Sequence, residues 1–421
     1  MNTKNLLFIP FMFCACSLFS QDVQILTWRD CIDAANKYNQ DLIIAKKDLA
    51  IAEYGYYSSW NSYYPAVSLK YAFNRDGSEA VKDKWNLSAT ASQSLYNFKN
   101  TSEIKTKKAV IDKTISQLTQ SYAEVYYSIK EAFLKMCYAQ ENITLLDNIY
   151  DLRAQSADIV RLQYEGGKES KGNMLKAQAQ KNSAYIDVLN AKRDLNTARR
   201  TLSEKIGVDL SGDFSVKGEL TLKEDKTEFD IDAKAREVPD VIISSAAVKI
   251  AEYEVSYAKG DLYPNLSATA SAGLSDAQGP VPPSESKTWS VGISLNYPLF
   301  ANGLTSVKNA VDSANAALEQ SRQEYNKTLL NMKTTLQDIQ MTIEKTKDNV
   351  GAYQMFLEAS IQRQKEANIQ YLAGTMEFQT WQDIEQELVN SQQSHLSALY
   401  NYNVALAERD QILGNTNGEI K

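Results

Sequence analysis

The sequence predicts a mixed α and β membrane protein. Four membrane-crossing strands per chain continue into long coiled-coil helices, and the whole plan occurs twice in tandem. Three observations carry this. From Trp289 to Phe300, Trp289, Val291, Ile293, Leu295, Tyr297 and Leu299 alternate with Ser290, Gly292, Ser294 and Asn296, giving a strand with one apolar and one polar face. About ten residues, uncharged and aromatic at both ends, suit a tilted strand crossing a bilayer. Apolar or small residues at Ile111, Ile115, Leu118, Tyr122, Val125, Ile129, Ala132, Met136, Ala139, Ile143, Leu146 and Tyr150 advance in alternating steps of four and three, the seam of a left-handed coiled coil. Finally, Ile51-Ala52-Glu53-Tyr54 recurs as Ile250-Ala251-Glu252-Tyr253, Pro65 as Pro264, Trp85 as Trp289, and Leu95-Tyr96 as Leu299-Phe300. The match continues through Tyr164-Glu165-Gly166-Gly167 against Tyr371-Leu372-Ala373-Gly374, to Ile206-Gly207 against Leu413-Gly414.

Residues 1–20 read as an export signal: Lys4, an apolar run from Leu6 to about Leu18, then Ser20, Gln21 and Asp22. Ala15-Cys16 also resembles a lipoprotein signal, which leaves lipidation of Cys16 open. The first repeat, 21–207, begins with a helix from Trp28 to about Tyr57. A hairpin follows at about 65–97: Val67, Leu69, Tyr71 and Phe73 alternate on one strand and Trp85, Leu87, Ala89, Ala91 and Leu95 on the other, with Gln93 interrupting the apolar side. Arg75 to Lys84, containing Asp76-Gly77, is the turn. No proline lies between Pro65 and Pro239, so nothing breaks a helix from about Lys99 to Arg161. Some sixty residues at about 1.5 Å each make a rod of roughly 90 Å. Gly166-Gly167 turns it at a tip near 164–170, and a return helix runs from about Gly172 to Lys205.

Residues 208–233 shift in composition, with short alternations at Phe214, Val216 and at Leu220, Leu222, and form a small connector. The second repeat, 234–414, has its hairpin at about 264–300, with a proline-rich loop from Gln278 to Lys287. A long helix from about Gly303 to Gln370, a tip at about 371–377 and a last helix to Gly414 follow. Residues 415–421 are a polar tail.

The chain has 421 residues, a formal charge of −7 and 23% charged residues, an acidic balance that argues against nucleic acid. No stretch of eighteen apolar residues exists, so membrane passage falls to strands. Four strands cannot close a barrel, and open edges in lipid are forbidden, so further copies must complete it; two copies and three both remain open here. The polar strand faces suit a wet interior. Tyr63, Tyr64, Tyr263 and Tyr297 gather at the helix end and Trp85 and Trp289 at the loop end, as interface aromatics against outer membrane lipid. Cys31 and Cys137 read as packed thiols, a disulfide between them being unpredictable from sequence. His395, the sole histidine, reads as a packed or solvated helix residue. No catalytic site, cofactor motif or metal cluster is visible.

The export signal, the tandem repeat, Tyr297-Pro298-Leu299-Phe300 and the paired tips at Tyr164 to Ser170 and Tyr371 to Gly374 together resemble the TolC family of outer membrane channel proteins, over essentially the whole mature chain. The resemblance implies a homotrimer: a twelve-stranded barrel in the outer membrane, continued by a helical tunnel through the periplasm, with an equatorial belt to which 208–233 and the tail would belong. It implies a passive conduit for efflux or type I secretion, fed by an inner-membrane pump through a periplasmic adaptor protein. Tyr164, Gly167, Ser170, Tyr371 and Gly374 match the adaptor-docking tips. Asp383, nine residues after Gly374, matches a pore-gate carboxylate; Thr380 stands where another is common, and Met376 replaces a basic residue. Asn173 and Lys176 fall where closed-state tethers can lie, and Glu385 and Glu387 are nearby acidic candidates on what reads as a solvated face. The competing class is a non-conducting coiled-coil structural or adhesion protein of the envelope.

Overall fold

The structure, a computed structural model, describes residues 24–77, 82–210, 212–222, 230–276, 286–299, 303 and 305–415. The export segment with Cys14 and Cys16, the loop at 278–285, Phe300 and the tail beyond Asn415 lie outside the described residues. The order is β1 (Gln24–Thr27), α1 (Trp28–Tyr38), α2 (Gln40–Ser59), β2 (Ala66–Asp76), β3 (Lys82–Tyr96), α3 (Phe98–Glu165), α4 (Lys171–Ile206), β4 (Phe214–Lys217), α5 (Ile231–Ala235), α6 (Pro239–Ala258), β5 (Asn265–Asp276), β6 (Ser286–Asn296), α7 (Ser306–Leu372) and α8 (Phe378–Ile412). At 68 and 67 residues, α3 and α7 are each about 100 Å long. Among the described residues no helix is long and apolar enough to cross a membrane.

The helix read as continuous from Trp28 to Tyr57 is broken at Asn39, which adopts an extended ψ of 123°. Asn39 is buried and caps two helices. Its Oδ1 accepts from the Leu42 N–H at 3.1 Å, and its Nδ2 donates to the Lys205 carbonyl at the end of α4 at 2.8 Å. That close approach dictates the residue ending α4. Gly207 has φ +84°, and a Cβ there would lie 2.7 Å from the Tyr38 carbonyl oxygen. The second repeat rebuilds the junction with other residues: Gly414, φ +68°, meets Pro239 at the start of α6, where a Cβ would fall 2.7 Å from Cγ. Gly207→Ala must therefore combine left-handed strain with a backbone clash, and is expected to cost about 2–4 kcal/mol. Gly374→Ala, with positive φ but open space, should cost only about 1–2 kcal/mol. Paired denaturant titrations of the two variants check the difference.

β2, β3, β5 and β6 form one antiparallel sheet in that order. Its rungs sort by face. Leu69, Ala89, Ala272 and Trp289 share one rung and Val67, Ala91, Ala270 and Val291 the next on the same side; Ser68, Thr90, Ser271 and Ser290 share a rung on the other. Serine hydroxyls pair across the polar face at 2.8 Å, Ser267 with Ser294 and Ser271 with Ser290. A bulge skips Leu95, so the apolar alternation read through Leu95 fails there and Tyr96 takes the partner Leu266. Gln93 donates from Nε2 to the Tyr63 carbonyl at 3.1 Å, which accounts for an amide on the apolar side. β6 ends at Asn296, so the strand read to Phe300 stops before Pro298, whose missing N–H cannot extend the ladder.

The largest core lies midway along α3. The coiled-coil seam is buried at Val125, Ile129, Ala132, Met136 and Ala139, but Tyr126, Phe133, Leu134 and Cys137 are buried too, because α1 and the connector cover another side of the helix. The connector is anchored by a parallel pair of short strands, β1 with β4; β4 is the Phe214 and Val216 alternation of the sequence, whereas β1 and its pairing have no signal there. Gln140 grips the edge of β4, donating from Nε2 to the Val216 carbonyl at 3.1 Å and accepting the Val216 N–H at 2.8 Å. Cys31 and Cys137 are free thiols inside this core, and burial pushes each up to about 12.

Candidate functional site

The two helical hairpins end in matching turns. Gly167 (φ 73°) and Gly374 (φ 74°) sit in left-handed conformation just past α3 and α7. Behind each, two bonds close the helix: Gly167 N–H to Tyr164 O and Lys168 N–H to Gln163 O, mirrored by Gly374 N–H to Tyr371 O and Thr375 N–H to Gln370 O. Ser170 starts α4 by accepting the Asn173 N–H at 3.1 Å. Tyr164, Gly167, Ser170 and Gly374 are exposed. Tyr371 is not: it is 2% exposed and stacked on Trp381 with ring centroids 4.1 Å apart. Its hydroxyl donates to Glu169 Oε1 at 3.0 Å, so it joins one tip to the other. Burial, with the neighbouring Glu169 carboxylate, raises the tyrosine's pKa. Trp381 Nε1 donates to Asn368 Oδ1 at 2.6 Å, and Met376 packs against the same cluster as an apolar plug.

Glu169 also accepts from Asn173 Nδ2 at 2.8 Å, while Lys176 Nζ donates to Gln379 Oε1 at 2.7 Å, tying α4 to α8. Of the two sequence-picked tethers, then, Lys176 crosses between hairpins and Asn173 stays within its own. Asp383 is exposed and accepts from Gln379 Nε2 at 2.7 Å; Thr380 is exposed beside it. Glu387 pairs with Arg363 at 2.6 Å on the surface.

Glu385 overturns the solvated-face reading. It is 0% exposed, with Arg153 Nη1 2.7 Å from Oε2 and the Ser156 hydroxyl on Oε1, and Arg153 Nη2 also donates to Gln386 Oε1 at 2.8 Å. Burial raises the Glu385 pKa, opposed by Ser156 and Arg153. Both residues were detectable by register. The α3 seam, continued three residues past Tyr150, lands on Arg153, and Glu385 falls on the α8 stripe of Trp381 and Leu388.

At the sheet's helix end, Tyr63 donates to Thr101 Oγ1 or accepts from it at 2.8 Å, and Tyr263 stacks on Phe98 at 4.5 Å; Tyr64 and Tyr297 are exposed. Trp85 packs on Phe73 at 4.5 Å near the loop end. Trp289, 81% exposed, shares the rung of Leu69 and so sits four rungs nearer the helix end along the sheet than Trp85, on the rung of Phe73. The two tryptophans grouped at the loop end in sequence do not share a level in the sheet. His395 is half-buried, and burial lowers its pKa.

An amphipathic antiparallel sheet carried on helices of about 100 Å defines the chain as a strand-contributing membrane protein with a helical extension. The model for outer membrane efflux proteins matches residues 31–208 and 233–415, one match in each half, and the chain belongs to that family, a family of the outer membrane. It is similar to the outer membrane efflux protein BepC of Brucella suis, 22% identical over 264 residues covering 60% of this chain and 54% of BepC. It is also similar to the alkaline protease secretion protein AprF of Pseudomonas aeruginosa, 24% identical over 56% of this chain and 53% of AprF. The chain thus spans about half the length of the curated relatives it matches. In fold it resembles the open-state MtrE outer membrane channel of Neisseria gonorrhoeae, with a TM-score of 0.81 at 19% identity, covering 92% of this chain and 88% of that one.

Proposed function

We propose that three copies of this chain close a twelve-stranded barrel in the outer membrane and continue as a helical tunnel through the periplasm. Substrate delivered by an inner-membrane pump and its adaptor passes through without energy spent by this protein, in efflux or in type I secretion. One observation carries the reading: the four-stranded sheet exposes Val67, Leu69, Trp289, Val291, Ile293 and Leu295 on one face, polar residues on the other, and leaves β2 and β6 as edges. Apolar side chains outward in lipid and unpaired backbone at both edges require neighbouring copies. The helices support it, since exposed Leu330, Met341, Met355 and Ile369 recur on α7 at intervals of 11, 14 and 14 residues, a coiled-coil seam for an adjoining subunit.

At the far end, Tyr164, Gly167, Ser170 and Gly374 form the surface for the adaptor's tip, with Tyr371 supporting it from beneath. Asp383 lines the closed mouth and favours cations there. Purified protein is expected to run as a heat-sensitive trimer that conducts in planar bilayers, with Asp383→Ala weakening its cation preference. A folded trimer that never conducts would return the protein to the class of non-conducting envelope structures. An Asp383→Ala channel with unchanged ion preference would remove that residue from the gate.

A further inference from the structure

The sheet's polar face carries a charge pattern that neither the family nor the tip geometry accounts for. Strand register places Lys70, Ser88, Gly273 and Thr288 on one rung of that face, and Lys70 is the fifth of eleven residues in β2, well inside the sheet. Its side chain is exposed. Its neighbours across the rung are small and uncharged, and a Cβ at Gly273 would lie 3.0 Å from Thr288 Oγ1 and 3.9 Å from the Ser88 Cβ. Four rungs toward the loops, Asn74 pairs with Lys84, also exposed and on the same face. The remaining residues of the face from Ala66 to Asn74, Asn86 to Ser94, Asn265 to Ser275 and Ser286 to Asn296 are uncharged. The last rung pairs Asp76 with Lys82 along the backbone.

On the three-copy reading above, on which this inference rests, that face surrounds the pore. Twelve strands about 4.8 Å apart and tilted about 40° close at a backbone radius of roughly 12 Å. Lysine side chains reach about 6 Å inward, so three ammonium groups at one level stand about 10 Å apart, comparable to the Debye length of about 8 Å at physiological salt. Their potentials overlap on the axis, and low-dielectric walls focus them.

We infer that Lys70, reinforced by Lys84, makes the outer section of the pore a positively charged, anion-favouring passage, so that the solutes leaving most readily through it are anionic. The acidic mouth proposed at Asp383 and this basic exit lie at opposite ends of the molecule and act in series.

The test uses the full-length purified trimer with a reporter thiol at Ser88, beside Lys70. Ser88→Cys is reacted separately with anionic sulfonatoethyl and cationic trimethylammonioethyl methanethiosulfonate, each rate being divided by that of the same reagent with free cysteine. The parent protein, whose thiols at Cys31 and Cys137 are buried, is the blank. The anionic reagent is expected to react on the order of tenfold faster than the cationic one, with the preference abolished by Lys70→Gln, reversed by Lys70→Glu and kept by Lys70→Arg. Measuring at the reporter makes the result independent of the conductance of the far mouth. Equal reaction by both reagents, indifferent to residue 70, overturns the inference while leaving the barrel intact. A folded trimer in which Ser88→Cys reacts with neither reagent and no current is carried overturns the barrel reading itself.

Discussion

Glu385→Ala is expected to destabilise the tip half of the helical body by about 3–5 kcal/mol. The carboxylate is fully enclosed and its partner Arg153 nearly so, with side-chain exposures of 1% and 5%, so its removal strands a guanidinium with only Gln386 as a remaining acceptor. The pair itself need not be a net stabiliser, because desolvating two charges offsets most of their attraction. Arg153→Met combined with Glu385→Leu should therefore recover most of the loss, and a double-mutant cycle by denaturant unfolding measures the coupling. The pH dependence has a definite sign. Burial lifts the folded carboxyl above its ordinary 4.5, so the folded state holds the proton more tightly than the unfolded chain does. This group's contribution is fully present below about pH 4.5 and is lost as pH rises through the raised folded value. Glu385→Gln should lack that slope. A stability profile in which wild type and Glu385→Gln run parallel from pH 4 to pH 8 would contradict the assignment.

On the proposed function, removing the turn around Gly374, residues 373–376, should abolish export while leaving heat-sensitive trimers in the outer membrane. The turn is closed by its own backbone bonds and by the Thr375 hydroxyl on the Gln370 carbonyl, with Met376 the one of its residues packed against the tip cluster, whereas the sheet and the core around α3 are far along the chain from it. Full loss of export with normal trimer abundance supports docking at the tips. Retained export sinks it, and loss of trimers would show that the turn itself is needed for assembly. Tyr371→Phe is the finer probe, since it keeps the stack on Trp381 and deletes only the hydroxyl's bond to Glu169.

The sheet was among the most legible parts of this sequence, because a period of two fixes the face of its residues up to the bulge at Leu95 and the internal repeat names the partner hairpin. The α3 seam was equally plain. What escaped were features set by contacts between distant residues. Nothing local in Asn39 announces a helix break; it arises because Lys205 offers a carbonyl for the amide to cap. β1 is four residues long and has meaning only beside β4, nearly two hundred positions away. The bulge at Leu95 reflects the register with β5 and leaves no mark on β3 alone. At the tips the turn glycines are readable, but the burial of Tyr371 is not, since an aromatic beside a turn reads the same whether it points out or stacks on Trp381. Glu385 reads as solvated because its neighbours Glu387 and Asp383 are acidic, although it falls on the α8 stripe of Trp381 and Leu388; its partner Arg153 falls on the α3 seam extended past Tyr150.

If three copies share one barrel, as proposed above, the open edges at β2 and β6 also have a genetic consequence. A chain that cannot finish its own sheet must borrow both neighbours, so a variant sound in strand pairing but defective at the tip will enter the same assemblies as the normal chain. With equal expression and three-copy mixing, only about one assembly in eight would contain no defective subunit. Such alleles should therefore be dominant, whereas alleles that spoil the edges, having no means of joining, should be recessive.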